Sequence, residues 1–327
     1  MRTTLLWMAR SPWLRELVPD LPFAERAVRR FMPGEELPDA LTAADDLLVQ
    51  GLGILFTRLG ENLTVITEAD EVAAHYHHVI DEAAKRGRPP EVSVKLTQLG
   101  LDIDADVAYR HSLELARHAA SAGTWFWIDM EGSDYTERTI AFYERLHAEE
   151  PKTGICLQAC LRRSAADVAR LLPQHPAVRL VKGAYDEPAA VAYRDKGEVD
   201  ANYLGLALTL AQAAGRGDAR LALGTHDAEL IDQLSLMTDA AGIAREQLEV
   251  HMLFGIRQDQ LLRLRAAGFP AFSLVAYGAF WYPWYMRRLA ERPANVLFAL
   301  RQIIPWSGGA GPRESRTGRD PQADRAP

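Results

Sequence analysis

Eight short apolar segments, separated by longer amphipathic stretches, limit most strongly what this sequence can fold into. The apolar segments are Leu52–Phe56, Val92–Leu96, Trp125–Met130, Gly154–Ala159, Val178–Val181, Leu221–Gly224, Leu248–Phe254 and Phe272–Tyr277. The stretches between them carry the helical period, as in Val107–Ala120, Thr136–His147, Ala165–Leu172, Tyr203–Ala214 and Ala228–Ala240. Apolar strands that alternate with helices are typical of an α/β protein whose parallel sheet is covered on both faces. Eight such units in roughly 250 residues predict a closed (β/α)8 barrel, the TIM-barrel architecture.

An open, doubly wound sheet is the alternative that this pattern leaves. Such a sheet usually carries an early glycine-rich turn that binds a dinucleotide. The early Gly51-Leu52-Gly53 segment lacks the third glycine of that fingerprint. The sequence therefore favours the barrel over the open sheet.

Three parts are predicted along the chain. Residues 1–46 are expected to form an N-terminal helical arm, because Ala24–Met32 is amphipathic and a helical pattern resumes at Leu37 after the Pro33-Gly34 break. Residues 47–305 are expected to form the barrel. Residues 306–327 contain few apolar side chains, so we expect a disordered C-terminal tail.

Charge and apolar content bear on the class and location of the protein. A formal net charge of -7 argues against a nucleic-acid-binding protein, which needs a basic surface. No apolar stretch reaches the ~20 residues that cross a bilayer, and the charged N-terminus is unlike a secretory signal. Cys156 and Cys160 lie four apart in one strand-like run, too far apart for an easy disulfide. We therefore expect a cytoplasmic protein, which could also be peripheral to the inner face of the membrane.

Polar side chains collect where the predicted strands end, which is where barrel enzymes place their chemistry. In chain order they are Lys95, Asp129, Glu131, Gln158, Arg179, Lys182, Thr225, His226, Asp227 and His251. A buried polar group without a partner costs roughly 1–3 kcal/mol, so six adjacent strands with such groups indicate a site. Only five of the 37 basic residues are lysines, yet Lys95 and Lys182 each interrupt an apolar run.

Two kinds of barrel chemistry remain open from these residues alone. Lys95 or Lys182 could form a Schiff base with a carbonyl substrate. A metal-dependent barrel would instead use Asp129, Glu131, His226 and Asp227. The HYHH segment at residues 75–78 lacks the spacing of a known metal motif, and we predict no metal site there.

The segment after the eighth apolar run adds a candidate site for an anionic ligand. If this segment is helical, Arg287 and Arg288 lie four and three residues before Glu291, and both spacings allow an ion pair. Tyr285 shares a helix face with Arg288. Two adjacent arginines, braced by a carboxylate and flanked by a tyrosine, make a good clamp for a carboxylate group.

Taken together, these segments resemble the proline dehydrogenase family. The matching segments run in the family's order between about Arg30 and Arg301, and they are Leu59–Glu61, Val92–Leu96, Trp127–Glu131, Leu157–Ala159, Val178–Tyr185, Thr225-His226, Met252–Arg257 and Tyr285–Glu291. The Val178–Tyr185 block and the paired-arginine helix are jointly very specific. Because the chain ends soon after the barrel, it resembles the single-function bacterial type without a fused aldehyde dehydrogenase.

The resemblance implies a distorted (β/α)8 barrel that binds FAD non-covalently. It implies oxidation of L-proline to Δ1-pyrroline-5-carboxylate, with electrons passed to a membrane quinone and a pyrroline-5-carboxylate dehydrogenase as a downstream partner. Asp129 would lie beside Lys95 in the active site, and Arg179 would donate toward flavin N5. The residues implied to contact FAD are Met130, Gln158, Arg179, Lys182, Gly183, Ala184, Thr225 and His226.

The same resemblance assigns the substrate site. Lys95, Arg287 and Arg288 would hold the proline carboxylate, and Glu291 would brace the arginine pair. Tyr285 would pack on the proline ring, and Leu253 would line the pocket.

The eighth run departs from the family pattern at two positions. Leu274 stands where the family typically has a tyrosine that lines the substrate ring, and Ala276 stands where it has a proline. The pocket is therefore expected to be larger or more apolar, which suggests a substituted proline such as 4-hydroxyproline as an alternative substrate. A protein that binds flavin or proline as a non-catalytic sensor is a further alternative.

Overall fold

All eight apolar segments form strands in the computed structural model. The structure describes residues 31–60, 63–87 and 89–291, together with residues 11, 13, 28 and 29, but not the side chains of Arg287, Ala290 and Glu291. The strands are β1 Gly53–Arg58, β2 Glu91–Lys95, β3 Phe126–Asp129, β4 Thr153–Gln158, β5 Ala177–Val181, β6 Arg220–Gly224, β7 Leu248–Leu253 and β8 Ala271–Tyr277. Most of the predicted N-terminal arm and all of the predicted tail lie outside the described residues, so the limits of the three predicted parts stay predictions.

The strands form a closed barrel in chain order, and each pairs in parallel with the next. The ring closes between β1 and β8, from the Gly53–Phe272 pair to the Arg58–Tyr277 pair. This closure excludes the open sheet and confirms the predicted (β/α)8 architecture.

Nine α-helices lie along the described part of the chain. They are α1 Leu37–Val49, α2 Ile66–Ala84, α3 Ala105–Ser121, α4 Thr136–Glu149, α5 Ser164–Leu171, α6 Lys196–Gly215, α7 Ala228–Ala240, α8 Gln258–Ala266 and α9 Trp281–Glu291. Local sequence sets where some of them begin. The Asp104 carboxylate, for example, accepts hydrogen bonds from the backbone N–H groups of Asp106 and Val107 at the start of α3.

Alternate residues of each strand face the helices or the barrel interior. Val92 and Val94 of β2 belong to the fully buried core between strands and helices, which also includes Tyr76 of α2. Burying such side chains contributes roughly 1.5–3 kcal/mol each to the hydrophobic stabilisation of the fold.

The interior needs one close approach between neighbouring strands. A Cβ atom at Gly154 of β4 would lie only 2.3 Å from the ring of Trp127 on β3. Glycine at this position therefore makes room for the fully buried indole inside the barrel.

No helix in the described ranges combines the length and the apolar character that crossing a membrane requires. The two cysteines are free, and Cys160 lies in the turn after β4 rather than in the strand-like run that the sequence suggested.

Candidate active site

The carboxyl ends of the strands bring most of the predicted site residues to one end of the barrel. Lys95 and Asp129 are the last residues of β2 and β3, and they are paired in register. Gln158 ends β4 and pairs with Val181, the residue before Lys182. Barrel enzymes build their active sites at this end.

A buried ion pair joins the two residues predicted to be catalytic. Arg179 Nη2 contacts Asp129 Oδ1 and lies 2.7 Å from Ser93 Oγ. The Ser93 hydroxyl donates to the same Asp129 oxygen at 2.9 Å. Because Ser93 is fully buried on β2, its hydroxyl fixes the relative positions of the other two side chains.

Arg179 is 3% exposed, so its charge depends on its surroundings. Burial disfavours the guanidinium, but the Asp129 carboxylate outweighs burial and the pKa of Arg179 is raised. The second terminal nitrogen, Nη1, has no hydrogen-bond partner within the described ranges. It is a charged donor available to a ligand.

Lys95 is 8% exposed, and no ion pair joins it to a carboxylate in the described part of the chain. A buried ammonium without a counter-ion is costly, and a bound anion would relieve that cost. Lys95 therefore suits a ligand that carries a carboxylate.

The residues around β4 and β5 fit the edge of a flavin ring, which presents both N–H donors and acceptor atoms. Gln158 Nε2 donates to the backbone carbonyl of Glu131 at 2.8 Å, whereas Gln158 Oε1 is buried with no partner within the described ranges. The unpaired acceptor of Gln158 and the unpaired donor of Arg179 match these two kinds of group.

Gly183 adds a close backbone approach beside this acceptor. Its φ is 113°, a conformation that favours glycine, and a Cβ atom there would lie 2.3 Å from Cys160 Sγ. The Lys182–Ala184 segment is partly exposed, so its backbone is accessible to a bound group.

Lys182 is held by two carboxylates at the rim of the barrel. Its ammonium lies 2.5 Å from Asp200 Oδ1 and 2.7 Å from Asp227 Oδ2, and Lys196 also contacts Asp200. Burial tends to raise the pKa of both carboxyl groups, but the lysines outweigh burial and lower them. Nothing in the spacing of these residues predicted that two carboxylates would pair with Lys182.

His226 is held in one orientation by β7. The backbone N–H of Leu253 donates to His226 Nε2 at 3.0 Å. A neutral imidazole that accepts at Nε2 carries its proton on Nδ1, so His226 presents a donor to the rim. Thr225 beside it is buried and accepts a hydrogen bond from Asp227 N.

Helix α9 covers the end of the barrel with aromatic side chains. Trp281, Tyr282, Trp284, Tyr285, Met286 and Leu289 form a buried cluster with Phe31, Met32, Leu59 and Ala276, hereafter the α9 cluster. Leu253 and Leu274 of the barrel pack against it. The ring centroid of Tyr285 lies 5.8 Å from that of Phe31, whereas the Arg288 guanidinium lies 5.9 Å from the Trp284 ring.

The structure describes only part of the predicted carboxylate clamp. Arg288 is on the helix that covers the barrel end, but the side chains of Arg287 and Glu291 lie outside the described residues. The aromatic ring beside the Arg288 guanidinium is that of Trp284, which the sequence suggested only as a packing residue and not as part of the clamp.

Sequence reasoning also missed Ser93. Its signal was the alternation along β2, in which Glu91, Ser93 and Lys95 occupy the three alternate positions of one strand face. The candidate metal residues do not form a metal centre in the described ranges, where no group of three or more His, Cys, Asp or Glu side chains is arranged to hold an ion.

A closed barrel with these charged groups at the carboxyl ends of its strands defines an enzyme of the (β/α)8-barrel class. The family model for proline dehydrogenase matches residues 40–301. This chain belongs to the proline dehydrogenase family.

Two relatives show how far the similarity extends. The chain is 34% identical over 276 residues to proline dehydrogenase 1 of Bacillus subtilis subsp. natto, which covers 84% of this chain and 90% of that protein. It is 31% identical over 308 residues to a proline dehydrogenase of Deinococcus radiodurans, which covers 93% of this chain and 97% of that protein.

The barrel also resembles part of larger solved proteins. Proline utilization A from Bdellovibrio bacteriovorus, inactivated by N-propargylglycine, matches 82% of this chain with a TM-score of 0.75 at 23% identity. Proline utilization A from Corynebacterium freiburgense matches 93% with a TM-score of 0.67 at 21% identity. The chain spans about a third of each, 33% and 34%, and the likeness concerns the fold alone.

Proposed function

We propose that this protein binds FAD and oxidises L-proline to Δ1-pyrroline-5-carboxylate, the first step of proline breakdown. The observation that carries the proposal is the buried Arg179–Asp129 pair next to Lys95, whose ammonium has no carboxylate partner within the described ranges. When bound, FAD would accept the hydride that leaves the carbon beside the proline nitrogen. Membership of the family supports the substrate.

The proposed cofactor site combines side chains and backbone from four strand ends. Arg179 Nη1 and Gln158 Oε1 would bind the polar edge of the ring, and the backbone at Met130 would lie beside it. The remaining part of FAD would contact Lys182, Gly183, Ala184, Thr225 and His226. Because Lys182 is paired with Asp200 and Asp227, it would serve as one member of a hydrogen-bonded rim rather than as a free positive charge.

The proposed substrate site places positive charge and apolar surface together. Lys95, Arg287 and Arg288 would bind the proline carboxylate, with Glu291 bracing the arginines. Tyr285 would pack on the ring, and Leu253 would line the pocket. The α9 cluster would exclude water from the reacting atoms, which strengthens every electrostatic interaction there.

Arg179 would have the main catalytic effect. Its fixed guanidinium would stabilise the negative charge that accompanies hydride arrival, and Asp129 and Ser93 hold it in place before the reaction begins. Such preorganised charge costs no rearrangement during the chemical step.

Anaerobic bleaching tests this proposal. The purified protein should be yellow, and L-proline should remove the oxidised-flavin absorbance when oxygen is absent. The Arg288→Ala variant should keep its flavin and lose bleaching at the same proline concentration. The exposed Arg263, which pairs with Asp232 on the outer surface, provides the control Arg263→Ala, which should bleach normally.

Each other outcome favours another function. A colourless protein would count against the flavin proposal and favour the Schiff-base barrel, and a yellow protein that proline does not bleach would favour the sensor.

Ser93→Ala should lower kcat for proline by roughly 5- to 20-fold with little change in KM, because it removes one hydrogen bond from each charged partner. Steady-state kinetics on the flavin-loaded protein measure this. Ser112→Ala is the matched control, since Ser112 is equally buried but bonds only to Ala108 O in its own helix. Equal losses in both variants would contradict a positioning role for Ser93.

A substituted proline is the second candidate substrate. Leu274 is partly buried, pairs with Leu253 in register, and packs on both the α9 cluster and the apolar barrel interior. The wall that it forms is apolar. Comparing kcat/KM for proline, 4-hydroxyproline and N-alkyl prolines separates the candidates, and a strong preference for proline would remove this one.

Partners and location follow from the same proposal. The electrons would pass to a membrane quinone, so we propose a cytoplasmic protein that meets the inner face of the membrane. A pyrroline-5-carboxylate dehydrogenase would consume the product.

A further inference from the structure

A second group of ionisable side chains lies deeper in the barrel, where Glu91 and Arg220 begin β2 and β6 and Glu249 and His251 lie on β7. Arg220 Nη2 lies 2.5 Å from Glu91 Oε1 and 2.7 Å from Glu249 Oε2, and His251 Nε2 lies 3.3 Å from Glu249 Oε2. These four residues, Glu91, Arg220, Glu249 and His251, are called the floor cluster. None of them has a role in the proposed reaction.

One side chain connects the floor cluster with the active site. Trp127 Nε1 donates to Glu91 Oε2 at 2.5 Å. The Arg220 guanidinium carbon lies 5.1 Å from the centre of the Trp127 ring, and the Arg179 guanidinium carbon lies 5.3 Å from it. The indole therefore contacts both the floor cluster and the arginine that we place beside the flavin.

The floor cluster carries one more negative than positive charge. Burial opposes the charge of Glu249, but hydrogen bonds from His251 and Arg220 lower its pKa to about 2. Burial lowers the pKa of His251, so its imidazole is neutral at neutral pH. Two carboxylates therefore face one guanidinium.

Most of this charge lies away from water. Glu91 is 6% exposed and the side chain of Glu249 is 16% exposed, and salt screens buried or partly buried charges less than surface ones. The Arg179–Asp129 pair above is itself neutral, and the positive Lys95 belongs to the active site at the opposite end of β2 rather than to the floor cluster.

We infer that the surplus negative charge of the floor cluster acts through the barrel interior and lowers the reduction potential of the bound flavin. The reduced state is then harder to reach. The inference rests on the proposed function, because it requires flavin beside Arg179. A negative charge below Trp127 opposes the negative charge that a reduced flavin carries. Glu91 and Glu249 are thus tuning residues, and they touch neither substrate nor cofactor.

Equilibrium redox titration against a reference dye tests the inference. Glu249→Gln should shift the balance between oxidised and reduced bound flavin toward the reduced form by roughly tenfold at a fixed potential, as expected when one largely buried charge is removed. Glu91→Gln should shift it in the same direction. Glu249→Asp, which keeps the charge, should leave the balance near that of the unmodified protein.

A surface pair of similar geometry provides the control. Glu144 accepts two hydrogen bonds from Arg170 on the outside of the barrel. Glu144→Gln should therefore leave the ratio of oxidised to reduced bound flavin unchanged. Thermal unfolding of each flavin-loaded variant separates a change in stability from a change in potential.

The outcomes are distinct. If the unmodified protein binds no flavin, the proposed function fails. If it binds flavin and the folded Gln variants leave the balance unchanged or shift it toward the oxidised form, the tuning role is overturned. Loss of folding in both Gln variants, with Glu249→Asp intact, would make the cluster purely structural and would also overturn it.

Discussion

Replacing Arg179 by methionine should lower kcat for proline by about 10²- to 10³-fold, the loss typical when one preorganised donor to developing charge is removed. Methionine keeps much of the side-chain volume, so the packing above Trp127 should survive. Asp129 has more access to solvent than Arg179, with 19% of its side chain exposed, and it keeps the Ser93 hydroxyl as a donor. The flavin should therefore still bind, and the defect should lie in the chemical step.

Rapid mixing with proline under anaerobic conditions measures that step directly. The control is Arg170→Met, because Arg170 forms its ion pairs on the outer surface with Glu137 and Glu144. Reduction of the flavin at the normal rate in Arg179→Met would rule out the catalytic role of this residue.

Replacing Lys95 should chiefly weaken substrate binding. Lys95→Ala removes a charged partner of the carboxylate, which costs roughly 1.5–3 kcal/mol, so KM for proline should rise about 10- to 100-fold. Lys95→Arg should also raise KM, because the planar guanidinium does not fit a buried position that suits a compact ammonium. Steady-state kinetics over a wide range of proline concentration provide the measurement.

The chain supplies a matched control for the conservative change. Lys85 lies on the surface with 69% of its side chain exposed and pairs with Glu82, so Lys85→Arg should leave both kcat and KM unchanged. If Lys95→Arg behaved in the same way, Lys95 would not contact the substrate.

The barrel could be predicted from the sequence because each strand is a short apolar run between turn residues. The predicted and observed bounds differ by a residue or two, as at β3, which begins at Phe126 rather than Trp125. Lys95, Asp129 and Gln158 were found because they end their strands, and a parallel barrel brings all strand ends to one edge.

Contacts across the barrel could not be predicted in the same way. Ser93 on β2 accepts a hydrogen bond from Arg179 on β5, and Arg220 on β6 forms an ion pair with Glu91 on β2. Such contacts depend on the stagger between strands and on side-chain rotamers, and neither leaves a periodic trace in one sequence. A small polar residue inside a strand has no recognisable spacing relative to its partner.

Because Gly154 packs closely against Trp127, a substitution at this position should impair the active site from a distance. Any side chain there would push the indole away from both arginines, although Gly154 carries no reactive group and lies on another strand. An inherited or selected change at Gly154 would thus imitate an active-site defect. Screens that search for catalytic residues by loss of turnover should find this glycine among them.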